Sequence, residues 1–298
     1  MRRLGILALT AGLAIAGCGD GSSSGDGRTV VATTTHVADL ASQVGGGRVS
    51  VDGMLRPGGD PHDFEPRPSD VAAVAKADLV FRSGGEVDEW LDDVIDNAGG
   101  DAEVVSLIDS VKRIGDDPHW WQDPRNAVRA VDVIRVRLTE LDPGGERVYR
   151  RNAERVKRQL RSLDGKIAAC VERVPPAKRK IVTTHDALGY FASRYGVEVV
   201  GAVIPSLSTQ AQASAGDVQA LVDQIRRERV EAIFPESSVN PDIERAIARE
   251  AGARIGDSLY ADSLGPRGSA GGTYEGALAH DARALVSGMS GGRVDCAL

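Results

Sequence analysis

The chain has 298 residues, 42% of them hydrophobic, and 36 Lys and Arg stand against 43 Asp and Glu for a formal charge of −7. That balance excludes nucleic acid as a partner, because phosphate recognition needs clustered Lys and Arg in excess. The length exceeds what one compact core usually holds, so two lobes are expected.

Residues 1–17 read as a signal peptide, with Arg2 and Arg3 as a basic start and an apolar run from Leu4 to Ile15. The run falls short of the ~20 apolar residues of an ordinary membrane span. Ile15-Ala16-Gly17-Cys18 is similar to a bacterial lipobox, in which cleavage after Gly17 leaves Cys18 as the point of lipid attachment; a conventionally cleaved signal is the alternative. Removing 17 residues takes away only Arg2 and Arg3 among the charged groups, so the net charge goes from −7 to −9. Residues 18–27 then form a lipidated, flexible, Gly- and Ser-rich tether. Cys170 and Cys296 remain, and in an oxidising compartment such a pair is a candidate disulfide; two unrelated buried thiols are the alternative.

Beyond the tether, short β-branched runs alternate with amphipathic stretches, the pattern of parallel sheets wrapped by helices. In the first half strands are expected at Val30–Thr34, Val49–Leu55, Leu79–Arg82 and Val104–Leu107, with helices near Val37–Val44, Pro68–Ala77 and Val87–Asn97. In the second half strands fall near Lys180–Thr184, Val197–Ile204, Ala232–Pro235 and Ala253–Gly256, with helices at Ala187–Tyr195, Gly216–Arg229, Pro241–Glu250 and Thr273–Gly288. Between them Glu146–Arg173 lacks proline and is rich in good helix formers, with Val148, Val156, Leu160, Leu163 and Ile167 at helical spacing and Gly165 as its one weak point. The expected organisation is an N-terminal α/β lobe over 28–142, a linking backbone helix over 143–174 and a C-terminal α/β lobe over 175–298.

Three of the five histidines lie in loops dense with Asp, Pro and Gly: His62 in GGDPHDFEP, His119 in DPHWWQDP and His185 in TTHDALGYF. Asp262 in LYADSLG is the fourth candidate. Each follows an expected strand, two in each half, and ligands of parallel α/β sheets collect at the carboxyl ends of strands. Taken singly, each has an ordinary explanation as a turn residue; together they form a borderline donor set that suits Zn²⁺ and tolerates Mn²⁺ or Fe²⁺. His36 also follows a strand and is a rival ligand or an orienting residue. His280, mid-helix, reads as a packed or solvated position. Asp63, Glu65, Asp117, Asp123 and Asp186 flank the ligands, and any of them could accept the second N–H of a coordinating imidazole. Trp120 and Trp121 follow His119, with packing as the ordinary role of at least one; Trp121 and Glu236 in FPESSVNP are, with His36, the candidates for lining the cleft or supporting a ligand, and capping is the alternative for Glu236.

GGDPHDFEPRPSD, DPHWWQDP, HDALGYFASRYG, AIFPESSVNP and LYADSLG, in that order, resemble the metal-binding solute-binding lipoproteins of bacterial zinc and manganese ABC importers (TroA/ZnuA type). The resemblance implies two α/β lobes, each with a parallel sheet flanked by helices, joined by one long backbone helix, with the metal between them. Its ligand positions fall on His62, His119, His185 and Asp262. Manganese-preferring relatives often carry glutamate at the third of these, and the histidine here favours Zn²⁺, with Mn²⁺ as the alternative. The long His-rich loop of several zinc-specific members is absent, and the acidic Gly115-Asp116-Asp117 stands in that region.

The function this implies is a non-enzymatic receptor. It is expected to be lipid-anchored on the extracytoplasmic face of the cell membrane, monomeric, and to deliver a divalent metal to an ABC permease. A zinc hydrolase using the same ligands is the competing reading, although no His-Glu-x-x-His motif occurs; an adhesin-like surface lipoprotein is a third.

Overall fold

Central strands of a parallel sheet are covered on both faces and must be apolar throughout. Two runs of the first half meet that requirement: Val30, Val31 and Ala32 in β1 (Thr29–Ala32), and Leu79, Val80 and Phe81 in β3 (Leu79–Arg82), are all buried. They form the middle of a four-stranded parallel sheet, flanked by the more polar β2 (Ser50–Gly53) and β4 (Glu103–Ser106) in the order β2-β1-β3-β4. The computed structural model describes residues 27–298. The expected signal peptide, the lipid site at Cys18 and the tether up to residue 26 lie outside the described residues.

The second half repeats the arrangement. β5 (Lys180–Thr183) and β7 (Ala232–Phe234) are the buried central strands, and β6 (Glu198–Ala202) and β8 (Arg254–Ile255) are the edges, in the order β6-β5-β7-β8. All pairings in both sheets are parallel. The expected fold class is therefore the observed one, with strands trimmed at their ends because the pairing stops where each chain turns into its loop.

Helices α1 (Thr35–Gly45), α2 (Pro68–Val74) and α3 (Trp90–Ala98) lie in the first half. A single 3₁₀ turn at Glu86–Asp88 precedes α3, so the helix expected from Val87 begins later. In the second half α6 (Gly189–Tyr195), α7 (Ala215–Glu228), α8 (Asp242–Ala251) and α9 (Tyr274–Ser290) match their expected positions within one or two residues.

One helix has no counterpart in the sequence reading: α4 (Pro124–Leu141). Asp123 caps it by accepting the Arg125 N–H at 2.9 Å, and Pro124 occupies the first helical position, where its missing N–H costs nothing. Its buried residues Ala127, Ala130, Val131, Ile134 and Leu138 form one stripe.

That stripe faces the linking helix α5 (Glu146–Glu172), reached through a 3₁₀ turn at Pro143–Gly145. The buried face of α5 holds Tyr149, Ala153, Val156, Leu160, Leu163 and Ile167. Tyr149 takes the place expected for Val148, which is only half-buried; its hydroxyl donates to Asp142 at 2.7 Å and ties α5 to the turn before it. Gly165 meets no neighbour within 4 Å and α5 runs unbroken through it. Cys170 on α5 and Cys296 form a disulfide with Cα atoms 5.8 Å apart, which pins the chain end to the linking helix.

We propose 28–142 and 175–298 as lobes, each built on one of the two sheets, with α5 inside the 143–174 connector. No helix among the described residues is long and apolar enough to cross a membrane.

Candidate metal centre

Loops leaving the carboxyl ends of the strands bring the four candidate ligands together. Among the described residues, one donor atom from each of His62, His119, His185 and Asp262 lies within 4.8 Å of the other three, and all four residues are buried. Asp262 Oδ2 is 3.2 Å from His185 Nε2 and 3.4 Å from His62 Nε2, and Asp262 Oδ1 is 3.5 Å from His119 Nε2. The Nε2 atoms of His119 and His185 are 3.2 Å apart.

The outer nitrogens explain why the inner ones point inward. Asp117 Oδ1 lies 2.8 Å from His119 Nδ1, and Glu236 Oε1 lies 2.7 Å from His185 Nδ1. Each carboxylate accepts the Nδ1–H, which selects the tautomer whose Nε2 carries a lone pair facing the centre. The two Nε2 atoms then face each other with room for at most one proton between them, next to a carboxylate whose two oxygens, like His62 Nε2, are buried without a hydrogen-bond partner. Buried polar groups are normally satisfied; a divalent cation satisfies all of these at once.

Asp117 and Glu236 do what the sequence left open among several acids. Glu236 leaves β7 and sits between the loop of His185, after β5, and that of Asp262, after β8, so three adjacent strands deliver the pair and its support. The other flanking acids take different work: Asp123 caps α4, and among the described residues the imidazoles pair with Asp117, Glu236 and Asp262 and not with Asp63, Glu65 or Asp186. A signal for Asp117 was present. Asp-Pro-His occurs twice, and in both copies the Asp accepts the histidine backbone N–H at 2.9 Å, Asp60 for His62 and Asp117 for His119.

His36 stands beside the cluster and outside it. Its ring stacks on Trp121 with centroids 5.1 Å apart and meets Tyr274 edge-on, and burial lowers its pKa to about 4, so it is neutral. Trp121 in turn donates from Nε1 to the Ala261 carbonyl at 2.7 Å, and Gln122 Nε2 donates to the same oxygen at 2.8 Å. These contacts hold the backbone next to Asp262. Trp120 is a packing residue, with Nε1 donating to the Ser83 carbonyl at 3.2 Å. His280 is half-buried on α9, 3.1 Å from the Ser258 carbonyl and away from the cluster.

Electrostatics add a proton. Burial disfavours the His185 cation, but Asp262 and Glu236 outweigh burial and hold its pKa well above the usual histidine value. Burial pushes the Asp262 carboxyl up, yet His185 and His119 hold it well below the usual range. In the metal-free chain the His185 pair is thus stabilising below the ordinary histidine pKa of about 6.5, and that contribution is lost as pH rises through the raised folded value. Metal binding runs the other way: it needs the neutral imidazole, releases the proton and strengthens with rising pH.

Glu236→Ala removes the acceptor for the His185 Nδ1–H and leaves that donor buried. We expect metal affinity to fall by about 10–100-fold, the usual effect of losing a partner behind a ligand, with one ion still bound per chain in competition against a fluorescent chelator. Unchanged affinity would show that Glu236 does not support His185.

The profile of the family described as "Zinc-uptake complex component A periplasmic" matches residues 30–288. The manganese-binding lipoprotein MntA of Halalkalibacterium halodurans is 32% identical over 288 residues, covering 93% of this chain and 95% of that protein. The zinc-binding protein TroA of Treponema pallidum is 30% identical over 286 residues, covering 91% and 92%. The solved structure of the periplasmic zinc-binding protein TroA superimposes with a TM-score of 0.84 at 29% identity, over 89% of this chain and 99% of that one.

Proposed function

This chain belongs to the zinc-uptake complex component A periplasmic family, and from that premise we propose that it captures zinc in preference to manganese between its two lobes. It is a metal-binding substrate receptor of an ABC importer and not an enzyme. The metal is its cargo and an ABC permease is its partner. We place it outside the cytoplasm, held at the membrane by lipid on Cys18, and working as a monomer.

The observation that carries the reading is the inward convergence of three Nε2 atoms and the unpartnered Asp262 carboxylate. His62 and His119 come from the first lobe and His185 and Asp262 from the second, so an ion held by all four makes binding and lobe closure one event. The loaded chain then presents a distinct shape to the permease. A hydrolase would need a base free to activate water, whereas Asp117 and Glu236, the carboxylates behind the imidazoles, are both engaged by Nδ1.

The choice of zinc rests on His185. A third imidazole makes the donor set softer than one with two carboxylates, and zinc stands above manganese in the Irving–Williams order. The manganese names of several relatives argue the other way, and those relatives' donors decide nothing about this chain's. Competition titration tests the choice: zinc is expected to displace bound manganese at equal total concentrations, with elemental analysis reading the ion retained. Preferential retention of manganese would overturn the ion and leave the site standing.

A further inference from the structure

Asp60 divides its carboxylate between the two lobes. Oδ1 accepts the His62 backbone N–H at 2.9 Å, and Oδ2 accepts the hydroxyl of Thr209, in the segment between β6 and α7, at 2.7 Å. We infer that the Asp60–Thr209 hydrogen bond is a latch across the exit of the metal site, setting how fast the ion leaves rather than which ion is held. The inference rests on the receptor reading above and adds a positioning pair to it.

The exit is located by exposure. The side chains of His119, His185 and Asp262 are 0% exposed and that of His62 is 2% exposed, so the thinnest cover over the centre is on the His62 side. The segment carrying Thr209 crosses there. It is rooted beside His185, where Ile204 N–H donates to the Thr184 carbonyl at 2.8 Å and Asp186 N–H donates to the Ser206 carbonyl at 2.9 Å. It ends on the loop of His62 through Thr209, and so straps the ligand loop of one lobe to that of the other.

The strap is built to open. Residues 203–214 contain neither helix nor strand, so no ladder holds them and their position depends on a handful of hydrogen bonds, which places them among the low-stability parts of a fold. In the second Asp-Pro-His copy Asp117 Oδ1 takes both the backbone N–H and Nδ1 of His119, and among the described residues Oδ2 makes no link of this kind. A separate tie, Gly58 N–H to the Leu264 carbonyl at 2.9 Å, also joins the His62 loop to the second lobe. Losing the latch alone should therefore speed release without abolishing closure.

The test is stopped-flow release of zinc from the full mature chain into saturating chelator, alongside the association rate, for wild type, Thr209→Val, Thr209→Ala and Thr209→Ser. A hydrogen bond to a charged acceptor is at stake, so Val and Ala are expected to raise the dissociation rate about tenfold with association unchanged, and Ser to match wild type. Wild-type dissociation in both Val and Ala would overturn the latch, as would a Ser variant as fast as Val, which would mean general damage to the loop. Failure of the wild type itself to bind zinc would instead overturn the receptor reading.

Discussion

His185→Ala is expected to weaken zinc binding by about two to three orders of magnitude. A four-ligand zinc site is worth about 10–16 kcal/mol in small folded sites, so one ligand in four carries roughly 3 kcal/mol, and each 1.4 kcal/mol is tenfold in affinity. The substitution also strands Glu236, whose Oε1 faces His185 Nδ1 at 2.7 Å in a buried position; a buried charge without its partner adds to the loss. His119→Ala should behave alike, because Asp117 is left in the same condition. Both variants should keep the far-UV signature of the fold, since the strands are set by apolar residues elsewhere. Calorimetric affinity unchanged in either variant would remove that residue from the site.

Cys170→Ser, alone or with Cys296→Ser, carries the largest expected cost to stability. The disulfide joins residues 126 apart in sequence. In the chain-entropy account a loop of that order constrains the unfolded state by about 4–5 kcal/mol. Denaturant unfolding with and without reductant should show a loss of that size in wild type and no further effect of reductant in the double variant. Two free thiols titrating in the native, unreduced chain would contradict the bond.

Much of this molecule could be read before its shape was known, and the reason is local. β1, β3, β5 and β7 are buried on both faces, so their sequences are continuous apolar runs that stand out against polar surroundings. α5 announces itself by length and by the absence of proline. The helix that escaped, α4, is dense in Val128, Val131, Val133, Ile134 and Val136, residues with weak helix propensity; packing of its apolar stripe against α5 decides its conformation, and that partner lies elsewhere in the sequence. The four candidate ligands were legible because histidine is scarce and each sits in a turn-rich loop after a strand. Glu236 and Trp121 were legible as cleft or supporting candidates, but which ligand each supports was not. Glu236 reaches His185 across 51 residues and Gln122 reaches Ala261 across 139, and no spacing rule connects such pairs. Asp117 was the exception within reach, since the repeated Asp-Pro-His marks it.

The central claim is that one ion sits between the lobes on His62, His119, His185 and Asp262. Anomalous diffraction from crystals of the zinc-loaded chain, recorded on both sides of the zinc edge, tests it most directly. The account predicts a single strong peak per chain, bonded to the three Nε2 atoms at about 2.0–2.1 Å and to Asp262 at about 2.0–2.2 Å. A peak elsewhere on the molecule, or an ion held by the residues of one lobe alone, would contradict it.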